Sequence, residues 1–406
     1  MKTMNLWAGA AMSIAAALLF SSCSKGLYED GDYPKGEYES AMPDALGGSG
    51  YGEENGNGGG GEAGVLTAGE WRDLDHWDFW TSKITGSQSF GEELTRWGFH
   101  TVDRIAVRVK DGAGNPVPNV PVSIAQSGKV LWETRTTTAG EANLWPALFS
   151  GEWDKEALEI RLDDKVMEGV EVVFSNGQPE QPVNWVELTY NPAKTATANA
   201  DIAFIVDATG SMGDEIAFLK QDLLSILTSV SQSQSGIVIR TGAVFYRDEG
   251  DEYVTRSSGF TDKIDKTMEF VRKQDAYGGG DLPEAVHTAL ECTLQDLSWN
   301  MDARSRIAFL VLDAPAHGDR QKVIDSLQKS ITTMAKMGIR IIPVVASTGD
   351  KATEFMSRCF AIATNGTYVF LTSDSGVGEE HLEATVGEYQ VEKLNALLVR
   401  LIEEFI

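Results

Sequence analysis

The spacing of apolar and polar residues changes along the chain, and each pattern predicts a different kind of structure. Across residues 100–192, short segments alternate apolar and polar residues with a period of two, as in Ile105, Val107 and Val109. Turn-forming residues separate these segments, for example at 111–116. Short strands at this spacing predict an all-β sandwich over residues 100–192.

The pattern changes again in residues 196–406. The continuous apolar run that ends at Asp207 is typical of a parallel strand buried on both faces. Further strands are predicted at 237–246, 307–312, 339–345 and 367–371. One helix is predicted to begin at Gly213, and four more are predicted at about 283–297, 320–337, 352–363 and 389–405. Because strands and helices alternate, residues 196–406 are predicted to form an α/β doubly wound, Rossmann-like domain.

Three segments precede these two regions. Lys2 and the apolar run 6–20 are typical of a signal peptide, which we place at 1–22. Residues 23–70 are rich in Gly and acidic residues and predict a disordered, flexible tether. Residues 71–99 are rich in aromatic residues. We expect this aromatic segment to be a cap on a neighbouring domain, and an aromatic platform for carbohydrate is the alternative.

The charge and the cysteines limit the classes of function. The chain has 34 Lys and Arg against 60 Asp and Glu, a formal net charge of −26. Nucleic acid is therefore not expected as a partner, because phosphate binding needs clustered Lys and Arg. Cys292 and Cys359 fall on separate predicted helices, which favours two buried thiols and leaves a disulfide as the alternative.

Polar side chains follow the predicted strands at one edge of the sheet. Asp207 and Asp313 each end an apolar strand, so both carboxylates are expected at the edge where doubly wound sheets bind ligands. The hydroxyls of Thr209 and Ser211 can converge on one point with Asp207 if the turn is tight. Carboxylates and hydroxyls without His or Cys predict a hard-oxygen site that suits Mg²⁺ or Mn²⁺.

These motifs resemble, in chain order, the von Willebrand factor A domain with its metal-ion-dependent adhesion site. The family's Asp-x-Ser-x-Ser appears at 207–211, where Thr209 keeps the hydroxyl, and its distal aspartate corresponds to Asp313. The family's usual threonine-bearing loop is absent. In its place, Gly-Gly-Gly-Asp-x-Pro-Glu at 278–284 is similar to hemicentin-like members and to integrin β subunits, which implies Asp281 as a neighbouring or auxiliary ligand.

The resemblance implies a metal-dependent binding domain rather than an enzyme. Thr209, Ser211 and Glu284 would coordinate the ion, and Asp207 and Asp313 would hold it directly or through water. An Asp or Glu carboxylate of a protein ligand would fill the open position of the metal.

Two further segments carry resemblances of their own. Asp214 and Glu215 resemble the acidic pair of the integrin β adjacent site, which implies a second metal site for Ca²⁺. Residues 102–148 are similar to carboxypeptidase-regulatory-like and bacterial Ig-like domains, which implies a spacer.

The N-terminus resembles that of a bacterial lipoprotein. Residues 19–23 are similar to a lipobox, which implies lipidation of Cys23 and cleavage before it. Glu29, Asp30 and Asp32 resemble the export signal of surface lipoproteins in Bacteroidetes. The resemblance implies a lipid anchor in the outer membrane and exposure at the surface. A periplasm-facing lipoprotein, or a secretory peptide with an incidental Cys, is the alternative.

Other functions stay open. The protein could be an envelope assembly scaffold whose A domain is degenerate or metal-free. Residues 207–211 also resemble the Asp-Lys-Thr-Gly-Thr motif of phosphorylating ATPases, in which the aspartate is the nucleophile, although a partner Lys or paired downstream Asp motif is not recognisable. His317 would cap a loop or lie beside the ion, and His287 would be structural.

Overall fold

The computed structural model describes residues 66–86, 90–150, 153–154, 158–170, 172, 183–280, 282–346, 349–373 and 383–406. The predicted signal peptide, Cys23 and the tether up to residue 65 lie outside these ranges, as does Asp281. In the described part of the chain, no helix is both long enough and apolar enough for a membrane span.

The strands and helices have the following bounds. The strands are β1 (Thr67–Trp71), β2 (Ile105–Lys110), β3 (Pro121–Gln126), β4 (Lys129–Arg135), β5 (Glu141–Leu144), β6 (Leu158–Leu162), β7 (Lys165–Val166), β8 (Asn184–Thr189), β9 (Thr197–Asp207), β10 (Val238–Tyr246), β11 (Thr255–Thr261), β12 (Ala303–Leu312), β13 (Ile339–Val345), β14 (Tyr368–Thr372) and β15 (Glu392–Lys393). The helices are α1 (Trp77–Phe79), α2 (Gly91–Trp97), α3 (Gly213–Ser233), α4 (Ile264–Val271), α5 (Val286–Asp296), α6 (Gln321–Met337), α7 (Lys351–Ala363) and α8 (Leu394–Phe405).

A mixed sheet with the strand order β11-β10-β9-β12-β13-β14-β1-β15 organises the described α/β region. Strands β10, β9, β12, β13 and β14 run parallel, while β11 and β1 are antiparallel to their neighbours. Alternate residues of β9 enter two separate hydrophobic cores: Phe204 joins the core with α3, α4 and α8, and Ile205 joins the core with α5, α6 and α7. Helices therefore cover both faces of the sheet, and the predicted α/β fold is confirmed.

The strands of the middle region form two small sheets, with the orders β5-β2-β8 and β4-β3-β6-β7. Residues such as Val107 and Ile124 are fully buried in the same hydrophobic core as helix α6, which packs against β4. Buried polar contacts add to this packing, since the Asn143 amide donates to the Asn365 side-chain oxygen at 2.7 Å. The all-β sandwich with the bounds 100–192 stays a prediction.

The aromatic segment packs as a cap. Trp80 and Trp97 are buried, and the Trp80 ring stacks on Phe355 of α7 with 5.9 Å between ring centroids. The tryptophan rings of this segment are covered, so they do not offer the exposed platform that carbohydrate binding would need. The segment also begins earlier than expected: residues 67–71 are strand β1, so the predicted tether boundary at residue 70 is wrong by a few residues. Strand β1 belongs to the large sheet because it pairs with β14 and β15.

Both cysteines of the α/β region are free thiols. Cys292 in α5 and Cys359 in α7 are buried and unpaired with each other. This agrees with the favoured prediction of two buried thiols.

Candidate metal centre

The two predicted aspartates lie side by side at the carboxyl edge of the sheet. Asp207 is the last residue of β9, and Asp313 follows the last residue of β12. These strands pair in parallel as far as Val206 and Val311, so both carboxylates leave the sheet at the same edge. Strand β9 lies between β10, which follows it in the chain, and β12. The strand order changes direction at β9, and doubly wound sheets place their ligand sites at such a switch point. Both side chains are buried.

A tight turn places the first hydroxyl beside Asp207. One Asp207 carboxylate oxygen accepts hydrogen bonds from the Thr209 backbone N–H at 2.9 Å and from the Thr209 hydroxyl at 2.7 Å. Thr209 is buried, whereas Ser211 is exposed in the short 3₁₀ turn Gly210–Met212 that leads into α3. Thr209 therefore faces the interior of the site, and Ser211 lies on its solvent side.

The segment that follows Gly278, Gly279 and Gly280 brings Glu284 to the same place. The Glu284 backbone N–H donates to the Pro315 carbonyl at 2.9 Å, which fixes Glu284 beside the loop that follows Asp313. A Cβ added to Gly279 would lie 3.1 Å from the Thr209 Cβ and 3.2 Å from the Glu284 Oε1. Thr209 and Glu284 therefore face the same glycine, and the three predicted loops converge on one site.

Burial and neighbouring carboxylates raise the pKa values of Asp207 and Glu284. Burial, followed by the neighbouring Asp313 carboxylate, raises the pKa of Asp207 to about 7. Burial, followed by the Asp207 carboxylate, raises the pKa of Glu284 to about 9. Tyr246, the neighbour of Asp207 on β10, has a pKa well above its ordinary value because it is buried beside the same three carboxylates. The site therefore disfavours negative charge on these buried carboxyl groups unless a proton or a cation compensates for it.

The residues present fit a divalent cation. Glu284 Oε2 is buried and accepts no hydrogen bond from the described residues. A buried carboxylate oxygen needs a hydrogen-bond donor or a metal ion. No three His, Cys, Asp or Glu side chains within the described ranges are grouped to hold a metal by themselves. Asp207, Asp313 and Glu284 therefore do not form a complete ligand set by themselves, and the predicted set adds the neutral hydroxyls of Thr209 and Ser211.

The proposed adjacent pair is not brought together. Asp214 is exposed at the start of α3, while Glu215 is buried. Glu215 lines a small apolar cavity with Phe204 and Phe309, in the core beneath the sheet. The two carboxylates thus face different surroundings.

The loop after β10 supplies acidic residues that the sequence prediction missed. Asp248 Oδ1 lies 2.8 Å from Nε2 of His317, which is buried in the loop after Asp313. Asp251 accepts a hydrogen bond of 3.0 Å from the Gly279 backbone N–H. Both carboxylates contribute to the raised pKa of Glu284, after burial and Asp207. A signal was available in the charged run 247–252, because it directly follows a predicted strand at the same sheet edge.

The two histidines have different surroundings. His317 joins two loops through Asp248, in agreement with a loop-capping role. His287 lies in α5, 3.7 Å from a Glu249 oxygen, and burial lowers its pKa.

Comparison with known proteins identifies the fold family of this region. Residues 201–377 match the family model described as von Willebrand factor A domain. The chain is 30% identical over 173 residues to an ariadne-like RING finger protein of Acanthamoeba polyphaga mimivirus, and 32% identical over 136 residues to the alpha-protein kinase vwkA of Dictyostelium discoideum. These matches cover 43% and 33% of this chain, but they span only 16% and 21% of the two relatives.

Two solved structures show more distant likeness. The open conformation of the pilus adhesin SpaC of Lactobacillus rhamnosus GG aligns with a TM-score of 0.35 and 10% identity, over 51% of this chain and 30% of that chain. Proximal thread matrix protein 1 of the mussel byssus aligns with a TM-score of 0.27 and 15% identity, over 42% of this chain and 46% of that chain. The family match and the α/β sheet with its carboxyl-edge site together show that residues 201–377 are a von Willebrand factor A domain.

Proposed function

We propose that this protein binds a protein ligand through Mg²⁺ or Mn²⁺ held by its A domain, and that it is a binding protein rather than an enzyme. The presence of an A domain supports an interaction or adhesion function. One observation supports the metal-dependent form of the proposal. The buried Oε2 of Glu284 has no hydrogen-bond donor among the described residues, and the Asp207 carboxylate of the same site is also buried.

The donor set explains why a ligand carboxylate would be attracted. Thr209 and Ser211 are neutral donors, so a bound ion keeps more of its positive charge than it would among carboxylates alone. Glu284 would be a direct ligand, and Asp207 and Asp313 would hold the ion directly or through water. The ion supplies a positive centre that binds an anion, and an Asp or Glu side chain of the partner would complete its shell.

We also propose that the chain is held at the bacterial outer membrane by lipid attached to Cys23 and is exposed at the cell surface. The lipobox-like sequence 19–23 and the acidic residues behind it support this proposal. A periplasm-facing anchor is the alternative. Several acyl chains on one residue give stable anchoring, since each buried CH₂ contributes about 0.8 kcal/mol.

Calorimetric titration with Mg²⁺ and Mn²⁺ tests the metal site. The protein is residues 24–406, and the variants are Asp207→Ala and, as a matched control, Asp265→Ala, which removes an exposed carboxylate at the start of α4. We expect saturable binding at one site that is lost in Asp207→Ala and kept in Asp265→Ala. Absence of binding in the wild-type protein would contradict the proposal and would favour a metal-free assembly scaffold.

A further inference from the structure

We propose that Arg247 is a positioning residue of the metal centre, which fixes the glycine loop 275–280 against the turn that begins at Asp207. This inference rests on the proposed function, because it concerns the same site. Arg247 directly follows β10 and is buried.

The Arg247 side chain joins two loops of the site. Its Nε donates to the Ala208 carbonyl at 3.1 Å, and one terminal nitrogen donates to the Asp275 carbonyl at 3.0 Å. The Arg247 backbone N–H donates to the Val254 carbonyl at 3.0 Å, which fixes the origin of the side chain. One residue therefore links the exit of β10 to both the aspartate turn and the start of the glycine loop.

Backbone hydrogen bonds continue this contact toward the metal ligands. The Tyr277 N–H donates to the Ala208 carbonyl at 3.0 Å, and the Gly210 N–H donates to the Gly278 carbonyl at 3.1 Å. The glycine loop thus lies along the aspartate turn, and Gly279 reaches the contact with Thr209 described above. A shift at the start of this loop would therefore move a segment that lies against two of the proposed ligands.

The contacts require an arginine rather than any cation. The planar guanidinium donates in two directions at once, whereas a lysine ammonium is a compact charge on a flexible chain. The guanidinium carbon also lies 4.3 Å from the ring centroid of Tyr253 and 5.7 Å from that of Tyr277. Contact with aromatic rings favours a guanidinium over an ammonium, because the guanidinium is planar and weakly hydrated.

Arg247 could act through its positive charge or by positioning the loops, and these two roles predict opposite effects of its replacement on metal binding. If Arg247 acted only through its positive charge, its removal would reduce repulsion of the cation and strengthen metal binding. If Arg247 positions the two loops, both a neutral replacement and a lysine would weaken metal binding. The pair Arg247→Met and Arg247→Lys therefore separates the two roles.

The test measures Mn²⁺ affinity by calorimetry and amide hydrogen exchange in residues 24–406. We expect both variants to bind Mn²⁺ at least about tenfold more weakly, as is typical when residues behind metal ligands are changed. We also expect faster exchange in residues 275–280 of the metal-free variants, with unchanged exchange in β9 as evidence that the sheet remains folded. Arg256→Met is the matched control, because Arg256 also lies over the Tyr253 ring, at 3.8 Å, and is partly exposed.

The outcomes separate this inference from the proposed function. If the wild-type protein binds Mn²⁺ and both variants bind it within about twofold of wild type, the role of Arg247 is overturned and the metal site stands. Tighter binding in Arg247→Met would also overturn it, in favour of a purely electrostatic effect. If the wild-type protein fails to bind Mn²⁺, the proposed function and this inference fall together.

Discussion

Arg358 donates to both carboxylate oxygens of Asp73, at 2.9 and 2.5 Å, and both side chains are buried. Arg358 lies in α7 of the A domain, and Asp73 follows β1 near the start of the described chain. The Arg358 guanidinium also donates to Glu354 at 3.0 Å. This ion-pair network and the pairing of β1 with β14 make the segment after residue 66 a structural part of the A domain.

Removing Asp73 should strongly destabilise the protein. Loss of one partner from a buried ion pair typically costs about 3–5 kcal/mol, and Arg358 would then keep Glu354 but lose its bidentate carboxylate partner. We expect Asp73→Ala to lower the free energy of unfolding by about this amount in urea titrations. Asp75→Ala is the control, because the Asp75 side chain is 61% exposed in its contact with Arg72. A loss below about 1 kcal/mol for Asp73→Ala would show that the network contributes little.

A fragment that begins at the predicted domain boundary should be less stable than one that includes β1. The fragment 196–406 lacks both β1 and Asp73, so the β14 edge is uncovered and Arg358 loses its bidentate partner. Uncovered strand edges promote association between chains. We expect fragment 66–406 to be monomeric and cooperatively folded, and fragment 196–406 to aggregate or to unfold at a lower temperature. Equal melting temperatures and equal elution volumes would contradict this expectation.

Local sequence signals predicted the elements whose apolar residues follow a simple period. The strand predicted at 339–345 has the observed bounds of β13, and the predicted helix 352–363 differs from α7 by one residue. The two loops that begin at Asp207 and Asp313 were also predictable, because strand-end aspartates must share an edge of a parallel sheet. The loop with Glu284 was assigned to the site by the family resemblance.

Long-range pairing and side-chain contacts were not predictable in this way. Strand β1 has the sequence Thr-Ala-Gly-Glu-Trp, and its partner β14 lies about 300 residues away, so the pairing leaves no local signal. Strand β11 was missed because it contains a single large apolar residue, Phe260. The role of Arg247 depends on two backbone carbonyls, which no pattern of side chains along the sequence reveals.

Glycine is required at 279 because the side chains of Thr209 and Glu284 both lie close to its Cα. Gly279 has a φ of +70°, and an added Cβ would press on both side chains. We expect Gly279→Ala to weaken Mg²⁺ binding at least about tenfold and to lower the free energy of unfolding by about 1–3 kcal/mol. Gly280→Ala is the control, because its Cβ would meet no atom within 4 Å. Equal Mg²⁺ affinity in the two variants would contradict the assignment of this loop to the site.

Cys23→Ser should release the protein from membranes. Without the thiol, lipid cannot be attached at the proposed site, and the acidic chain would not be retained by an anionic membrane surface. Fractionation of cells that express the two forms tests this, with immunoblotting of the membrane and soluble fractions. Retention of Cys23→Ser in the membrane fraction would contradict lipid anchoring, and protease treatment of intact cells would separate the surface-exposed orientation of the wild-type protein from the periplasmic one.

The free energy of unfolding of the metal-free protein should fall as the pH rises. The pKa values of Asp207 and Glu284 are raised to about 7 and about 9 in the folded protein, while both groups ionise near their ordinary values when unfolded. The unfolded state therefore loses its protons first, and the stability present below about pH 4 decreases progressively as the pH rises through the two folded-state values. Glu284→Gln removes one of these titrations and should flatten the dependence at its alkaline end.

Metal binding should reverse this pH dependence because the cation replaces the protons. We expect Mg²⁺ to stabilise the protein more at about pH 9 than at about pH 6, and to release protons when it binds at the lower pH. Thermal unfolding with and without Mg²⁺ measures the first effect. Calorimetry in two buffers with different ionisation enthalpies measures the second, because released protons bind to the buffer and change the observed heat. Two results would contradict this expectation: a melting temperature of the metal-free protein that rises from about pH 6 to about pH 9, and binding enthalpies that do not depend on the buffer. Together they would show that Asp207 and Glu284 are already ionised before the metal binds.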